Sequence, residues 1–185
     1  MLSRLLNRPS GPRGLVIEPM RRRDLTAIQV IERQVYPQPW SVNVFANEIE
    51  MSRQGQRYYI CAHRDSMLVG YAGMMVVLDE AHITNVAVDP QRQRQGIGQR
   101  LLAELAWEAR RRGCNALTLE VRLSNVAAQA MYQRFGFEPA GIRAKYYENV
   151  EDAIVMWCNG IDTPDYARRL RQIVPGCDGD PGQGS

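Results

Sequence analysis

Apolar residues change their spacing several times along the chain, and each change marks an element. Leu15-Val16-Ile17-Glu18-Pro19-Met20 reads as a short first strand closed by its proline. Behind Asp24, placed to cap a helix, the apolar positions Leu25, Ile28, Val30, Ile31 and Val35 return at helical spacing until Pro37 and Pro39 stop the pattern. Ser41 restarts a helix as its N-cap, with Val42, Phe45, Ile49 and Met51 on the apolar side. Two continuous apolar runs follow, Tyr58 to Ala62 and Leu68 to Leu78, and flank the turn-like His63-Arg64-Asp65-Ser66. They predict a β-hairpin, which Ala81 to Val88 extends as a meander before Asp89-Pro90 ends it.

The second half alternates between the two periods. After a turn at Gln93 to Gln99, a helix is predicted to run to Arg112, with Ile97, Leu101, Leu102, Leu105 and Ala109 inside and Glu104, Glu108 and Arg111 outside. Gly113 ends it as a left-handed cap. Ala116 to Val121 reads as a central strand that sends Leu117, Leu119 and Val121 to one face and Thr118 and Glu120 to the other. Ser124 or Asn125 caps a short helix, Val126 to Phe135, stopped by Gly136. Phe137-Glu138-Pro139 and Ile142 open another strand, Lys145 to Asn149 forms a polar aromatic loop, and Asp152 to Trp157 is the last strand. Beyond Asn159 the pattern predicts one amphipathic turn, Tyr166 to Ile173, and a disordered Gly/Asp/Pro tail. The expected organisation is a flexible tail over 1–14, one domain over 15–159 and a partly disordered extension over 160–185.

Composition narrows the class. With 185 residues and 45% apolar content, the chain can bury one substantial core. A net charge of +3 is too small to imply nucleic-acid binding, although arginines cluster at Arg21 to Arg23, at Arg92 and Arg94, and at Arg110 to Arg112; most of these are expected on solvated faces. Cys61, Cys114, Cys158 and Cys177 form no Cys-x-x-Cys, and His63 and His82 lack ligand-like spacing, so reduced thiols and no metal are expected. No membrane span or secretory signal is read, and a cytoplasmic location is expected.

Three features carry candidate chemistry. Gln93-Arg94-Gln95-Gly96-Ile97-Gly98-Gln99 joins a strand to a helix. Its glycines let backbone approach a ligand, and the helix start offers unpaired N–H groups to an anion. Leu101 occupies the third glycine position of a dinucleotide fingerprint, and Leu101-Leu102 replace the Gly-Lys of a P-loop, so the turn belongs to neither class. Glu120 is a carboxylate on a buried strand and must be hydrated, ion-paired to an arginine, or used. Asn125 and Tyr132, seven residues apart, share a helix face about 10 Å apart. Tyr36 and Trp40 either seal a helix joint or meet a ligand.

Taken in order, Asn85-Val86-Ala87-Val88-Asp89-Pro90, the Gln93 to Gly98 turn, Leu119-Glu120-Val121-Arg122, Ser124-Asn125, Met131-Tyr132, Gly136-Phe137 and Tyr146-Tyr147 through Glu151-Asp152-Ala153 resemble the GNAT acetyltransferases, and within them those that acetylate ribosomal-protein N-termini. The resemblance runs from about Leu15 to Trp157. It implies an α/β (α+β) GNAT fold: a mixed, mostly antiparallel central sheet flanked by helices, whose splayed central strands form a CoA cleft. It further implies that acetyl-CoA is the co-substrate, that the backbone of Val86, Ala87 and Val88 meets its pantetheine arm, and that the amides of Arg94, Gln95, Gly96, Ile97, Gly98 and Gln99 cradle its pyrophosphate. Asn125 is then expected to bind the cofactor arm, Glu120 to act as general base and Tyr132 as general acid. Tyr36, Pro39, Trp40, Tyr146 and Tyr147 are expected to line the acceptor's entrance. The extra N-terminal tail, the 28 residues beyond Trp157, and Gln99 in place of a basic residue depart from the pattern.

The chemistry suits these roles. Attack on a thioester needs a neutral amine, which a carboxylate can produce directly or through water. A departing thiolate, with a cysteine-like pKa of about 8.5, can take a proton from a tyrosine. Direct transfer in a ternary complex is expected; a ping-pong route through Cys114 or Cys61 is the disfavoured alternative, because neither has a neighbouring base in sequence and both sit in apolar surroundings. The expected acceptor is the α-amine of a protein N-terminus, the N-terminal alanine of a small-subunit ribosomal protein, with no membrane or nucleic-acid partner. Lysine side chains, polyamines or other small amines are the alternative acceptors. A catalytically silent RNA- or ribosome-binding module is the non-enzymatic alternative.

Overall fold

Strand alternation sorts the apolar side chains onto two faces of one sheet, and helices cover both. The computed structural model describes residues 14–177; the expected N-terminal tail and the final Gly/Asp/Pro stretch lie outside them, except for Gly14. The strands are β1 (Leu15–Pro19), β2 (Arg57–Arg64), β3 (Met67–Val77), β4 (Glu80–Val88), β5 (Ala116–Arg122), β6 (Glu138–Tyr147) and β7 (Glu151–Asn159). The helices are α1 (Leu25–Val35), α2 (Val42–Arg53), α3 (Ile97–Arg111), α4 (Val126–Arg134) and α5 (Pro164–Ile173). The strands form a seven-stranded sheet in the order β1-β2-β3-β4-β5-β7-β6, antiparallel throughout except between β4 and β5.

Ile28, Ile31, Phe45 and Ile49 of α1 and α2 pack on Tyr59, Cys61, Tyr71 and Ala87. Phe45 meets the Tyr71 ring edge-on at 5.5 Å. Opposite, α3, α4 and α5 share a larger core with Leu117, Leu119, Val121, Met156 and Cys158. Of the expected apolar faces, Val30 and Val42 remain 56% and 43% exposed, because the stripe each helix buries is narrower than its apolar content.

Four local expectations change. Asp24 makes no side-chain cap to α1; its Oδ2 accepts from the Arg21 amide at 2.8 Å and closes a single 3-10 turn ahead of the helix. Lys145 to Tyr147 belong to β6, not to a loop. Two register shifts and a positive φ of 52° at Lys145 make that strand irregular enough to hide it from a periodicity reading. The stretch read as one amphipathic turn is the ten-residue α5, capped by Thr163, with Tyr166, Ala167 and Leu170 buried. The Arg110 to Arg112 run is not simply solvated. Arg110 donates to the carbonyls of Ile161 and Thr163 ahead of α5, and Arg112 donates to the Gly55 carbonyl at 2.8 Å.

The feature that organises the site is a short ladder. β4 and β5 pair only from Glu80–His82 to Ala116–Thr118, so the two strands part beyond His82 and leave one edge of each without a strand partner. The cysteines Cys61, Cys114, Cys158 and Cys177 are buried and form no disulfide. Among the described residues, no helix is long and apolar enough to cross a membrane.

Candidate active site

The fork between β4 and β5 opens into a cleft of about 800 Å³, within the range of small-molecule sites. Its vertex lies near His82 and Thr118; its mouth lies where β4 runs into the turn before α3.

At the mouth, the Asp89 carboxylate accepts from the Gln91 amide at 2.9 Å and starts the turn. Arg94 and Gly96 both take left-handed backbone, with φ of 58° and 78°. Glycine does so freely, whereas for arginine this costs on the order of 1 kcal/mol, a strain of the kind kept at binding turns. The first helical bond of α3 runs from the Arg100 amide to the Gly96 carbonyl at 3.0 Å. The amides of Ile97, Gly98 and Gln99 therefore lack helical acceptors and present the positive end of the helix. Arg92 and Arg94 line the same end. A Cβ on Gly98 would lie 3.6 Å from Met131 Sδ and 3.7 Å from Val88 Cγ2, filling the space between β4 and α4. This donor set and open space suit a pyrophosphate and the arm attached to it. The Gln95 side chain accepts from Arg64, and Gln95 is not among the residues that line the cleft.

Near the vertex, β5 turns Glu120 away from the core that holds Leu119 and Val121, onto the face shared with His82. Its side chain is only 6% exposed. His82 Nε2 lies 3.0 Å from Oε2 and Arg143 Nη2 lies 3.2 Å from Oε1. Glu120 is thus both ion-paired and part of the cleft wall.

Tyr132 projects from α4 into the cleft, its ring 5.7 Å from Phe137, and burial holds its hydroxyl well above the ordinary tyrosine range, so it stays a neutral donor. Asn125 caps α4, its Oδ1 accepting from the Ala128 amide at 3.1 Å, and leaves its NH2 group for the cleft. Tyr147 donates to the Glu120 carbonyl at 3.1 Å, and burial pushes its hydroxyl up to about 12. The Arg122 guanidinium stacks 4.1 Å from that ring while binding Glu148 at 2.6 Å and Glu151 at 3.0 Å. Tyr36 donates to the Val86 carbonyl at 3.4 Å, and its hydroxyl too is raised by burial. Trp40 and Tyr146 line the rim, whereas Pro39 is exposed and stands outside the lining. Val86, Ala87 and Val88 form the β4 wall.

The loop bearing Tyr36 and Trp40 is anchored by a buried acid. Glu32, 1% exposed, accepts from the Trp40 amide at 2.8 Å and from the Tyr71 hydroxyl. Burial raises its carboxyl to about 7 against the lowering effect of the Trp40 amide. The native protein therefore holds a proton that the unfolded chain releases from about pH 4.5 upward. This contribution to stability is complete below the unfolded value and is lost as pH rises through about 7. In Glu32→Gln the amide oxygen accepts from the Trp40 amide and the NH2 donates to the Tyr71 hydroxyl oxygen, and this loss is removed. We expect the stability difference between variant and wild type to grow by on the order of 3 kcal/mol from pH 4.5 to 8, read from paired denaturant melts. A constant difference would refute the assignment.

His82, Arg143, Arg122 and Glu32 were not singled out by spacing. Alternation in Ala81-His82-Ile83 places His82 on the polar face, but only the parallel pairing opposite Thr118 sets it beside Glu120. Among the described residues, no group of three or more His, Cys, Asp or Glu side chains could hold a metal.

Residues 25–137 match the acetyltransferase (GNAT) family model. The [ribosomal protein bS18]-alanine N-acetyltransferase of Escherichia coli strain K12 is 43% identical over 144 residues, which cover 76% of this chain and 94% of that protein. The crystal structure of the ribosomal-protein-S18-alanine N-acetyltransferase from Escherichia coli superposes with a TM-score of 0.71 at 38% identity, covering 79% of this chain and 94% of the other. The paia N-acetyltransferase of Thermoplasma acidophilum in complex with coenzyme A shares the fold, with a TM-score of 0.70 at 18% identity over 78% and 98% of the two chains. The family match spans more than half of the chain, and the chain belongs to the GNAT acetyltransferase family.

Proposed function

We propose that this protein acetylates protein N-termini in the cytoplasm, transferring acetyl from acetyl-CoA to the α-amine of the N-terminal alanine of a small-subunit ribosomal protein. The observation that carries this reading is one continuous cleft with anion-binding amides of α3 at its mouth and a buried carboxylate, Glu120, near its vertex. Acetyl-CoA supplies an activated thioester. The α3 amides and Arg94 hold its pyrophosphate, the free edge of β4 and Asn125 orient its arm, and Glu120 takes a proton from the α-ammonium at a carboxylate oxygen. Tyr132, kept neutral by burial, donates its hydroxyl proton to the departing sulfur.

The rim favours a peptide over a polyamine. Glu148 and Glu151 are both bound by Arg122, so the acids beside the aromatic rim do not form a free acidic trough. Trp40, Tyr36, Tyr146 and Tyr147 instead offer aromatic walls to an extended terminus. The 43% identical Escherichia coli relative, named for alanine N-acetylation of bS18, supports the same acceptor.

The test is CoA-thiol release with acetyl-CoA and peptides beginning with Ala, Gly, Ser or Met, beside a lysine peptide and spermidine. We expect the Ala-initiated peptide to give the highest kcat/KM. Tyr132→Phe should lower kcat about 10- to 100-fold, at the low end of general-acid contributions, with the acetyl-CoA KM little changed. A higher kcat/KM on spermidine or the lysine peptide than on every N-terminal peptide overturns the acceptor assignment.

A further inference from the structure

Proton balance shows what the Glu120 pair is for. An α-ammonium and a thioester become an amide and a thiol with one proton left over. The nitrogen gives up two protons; one restores the Tyr132 hydroxyl, whose own proton has gone to the CoA sulfur, and the other must leave the protein. Glu120, with a 6% exposed side chain, is poorly placed to hand that proton to water, whereas His82, 3.0 Å away at Oε2, is 28% exposed. The Arg143 guanidinium at Oε1 attracts a carboxylate and has no comparable attraction for a neutral carboxyl, which drives a proton taken up at Glu120 onward.

We propose that His82 is the proton outlet of this site, a positioning residue that acts through Glu120; the inference rests on the acetyl-transfer reading above. In the first step an ammonium N–H bond breaks and an O–H bond forms on Glu120. In the second that O–H bond breaks and an N–H bond forms at His82 Nε2, leaving a carboxylate paired with an imidazolium. The imidazolium then loses its proton to water, and the pair returns to its starting state. An imidazole can both take up a proton and release it to water, which suits a group that must load and discharge in every cycle.

Among the described residues, Glu120 forms ion pairs with His82 and Arg143 alone. The parallel partner of His82 is Thr118 on β5 and its antiparallel partner is Met75 on β3. From β6 comes Arg143, already on Glu120. Two residues along β4, Thr84 meets the Tyr59 hydroxyl at 2.7 Å, and the Glu48–Arg57 pair of α2 and β2 lies beyond it. Glu32 of α1 is held by Trp40 and Tyr71, and Glu148 by Arg122.

The experiment measures kcat against pH at saturating peptide for wild type, His82→Gln and His82→Ala, with and without added imidazole. We expect kcat of both variants to fall about 10-fold or more near neutral pH and the acid limb to move to lower pH by about one unit or more. Imidazole should restore part of the His82→Ala rate. The acetyl-CoA KM and Tm should stay close to wild type. A kcat and acid limb like those of wild type overturn the proposal. So does a loss of rate with an unmoved limb and no imidazole rescue, which would mark His82 as merely structural. If the wild type acetylates only lysine or a polyamine, the acceptor assignment fails and the same series on that amine still decides the role of His82, because any ammonium must lose the same protons. A wild type that acetylates no amine overturns both.

Discussion

Glu120→Gln lowers kcat at saturating peptide by about 10²- to 10⁴-fold, the contribution ordinarily made by a positioned general base. Glutamine keeps the volume of the side chain. Its carbonyl can still accept from Arg143, and its NH2 can donate to His82, so the geometry of the two ion pairs at 3.2 and 3.0 Å has a neutral substitute. Arg143, 56% exposed, is not stranded as a buried charge when its partner is neutralised. What disappears is the ability to take a proton from the α-ammonium. The acetyl-CoA KM should therefore change little, because the pyrophosphate cradle at Ile97 to Gln99 belongs to another element. The measurement is steady-state CoA release for variant and wild type at matched acetyl-CoA. A kcat within about threefold of wild type would remove Glu120 from the mechanism.

Leu170→Ala is expected to cost about 2–5 kcal/mol of unfolding free energy, the range for deleting a fully buried leucine. Leu170 is 0% exposed and shares its core with Tyr166, Ala167, Val174 and Cys177 from the same end of the chain and with Trp107 and Leu105 of α3. Arg110 fastens the start of this segment through two carbonyls, and Arg100 reaches the Gly176 carbonyl at 3.3 Å beyond it. The extension is thus built into the same core as the cleft's supporting helix. In urea melts the midpoint should fall at unchanged slope, with Tm lower by roughly 5–15 °C. The kcat of the folded variant should stay near wild type, since Leu170 does not line the cleft. A loss below about 0.5 kcal/mol would mean that α5 folds independently of the domain.

Much of the fold was legible because its signals are local. The Ser41 cap, the helical spacing of Ile97, Leu101, Leu102 and Leu105, and the alternation through Leu117, Leu119 and Val121 each depend on neighbours a few residues away, and all appear as expected. The failures were also local. The Asp24 side chain has two backbone options and takes the earlier one, and the bulged end of β6 carries no clean period. The polar composition around α5 concealed a helix that buries only three of its ten residues.

By itself the sequence determined that a glycine-bearing helix start follows an apolar strand, that Glu120 faces away from Leu119 and Val121, and that Asn125 and Tyr132 share a helix face. A side-chain period of two in strands and 3.6 in helices settles such matters without reference to the rest of the chain. The tertiary structure alone decided what Glu120 meets. His82 is 38 residues earlier and Arg143 is 23 residues later, and they converge because β4 runs parallel to β5 for three residues before parting and because β6 lies beyond β7. Strand order and the point where a ladder ends are outcomes of packing helices on both faces of the sheet, a long-range balance that no window of sequence contains.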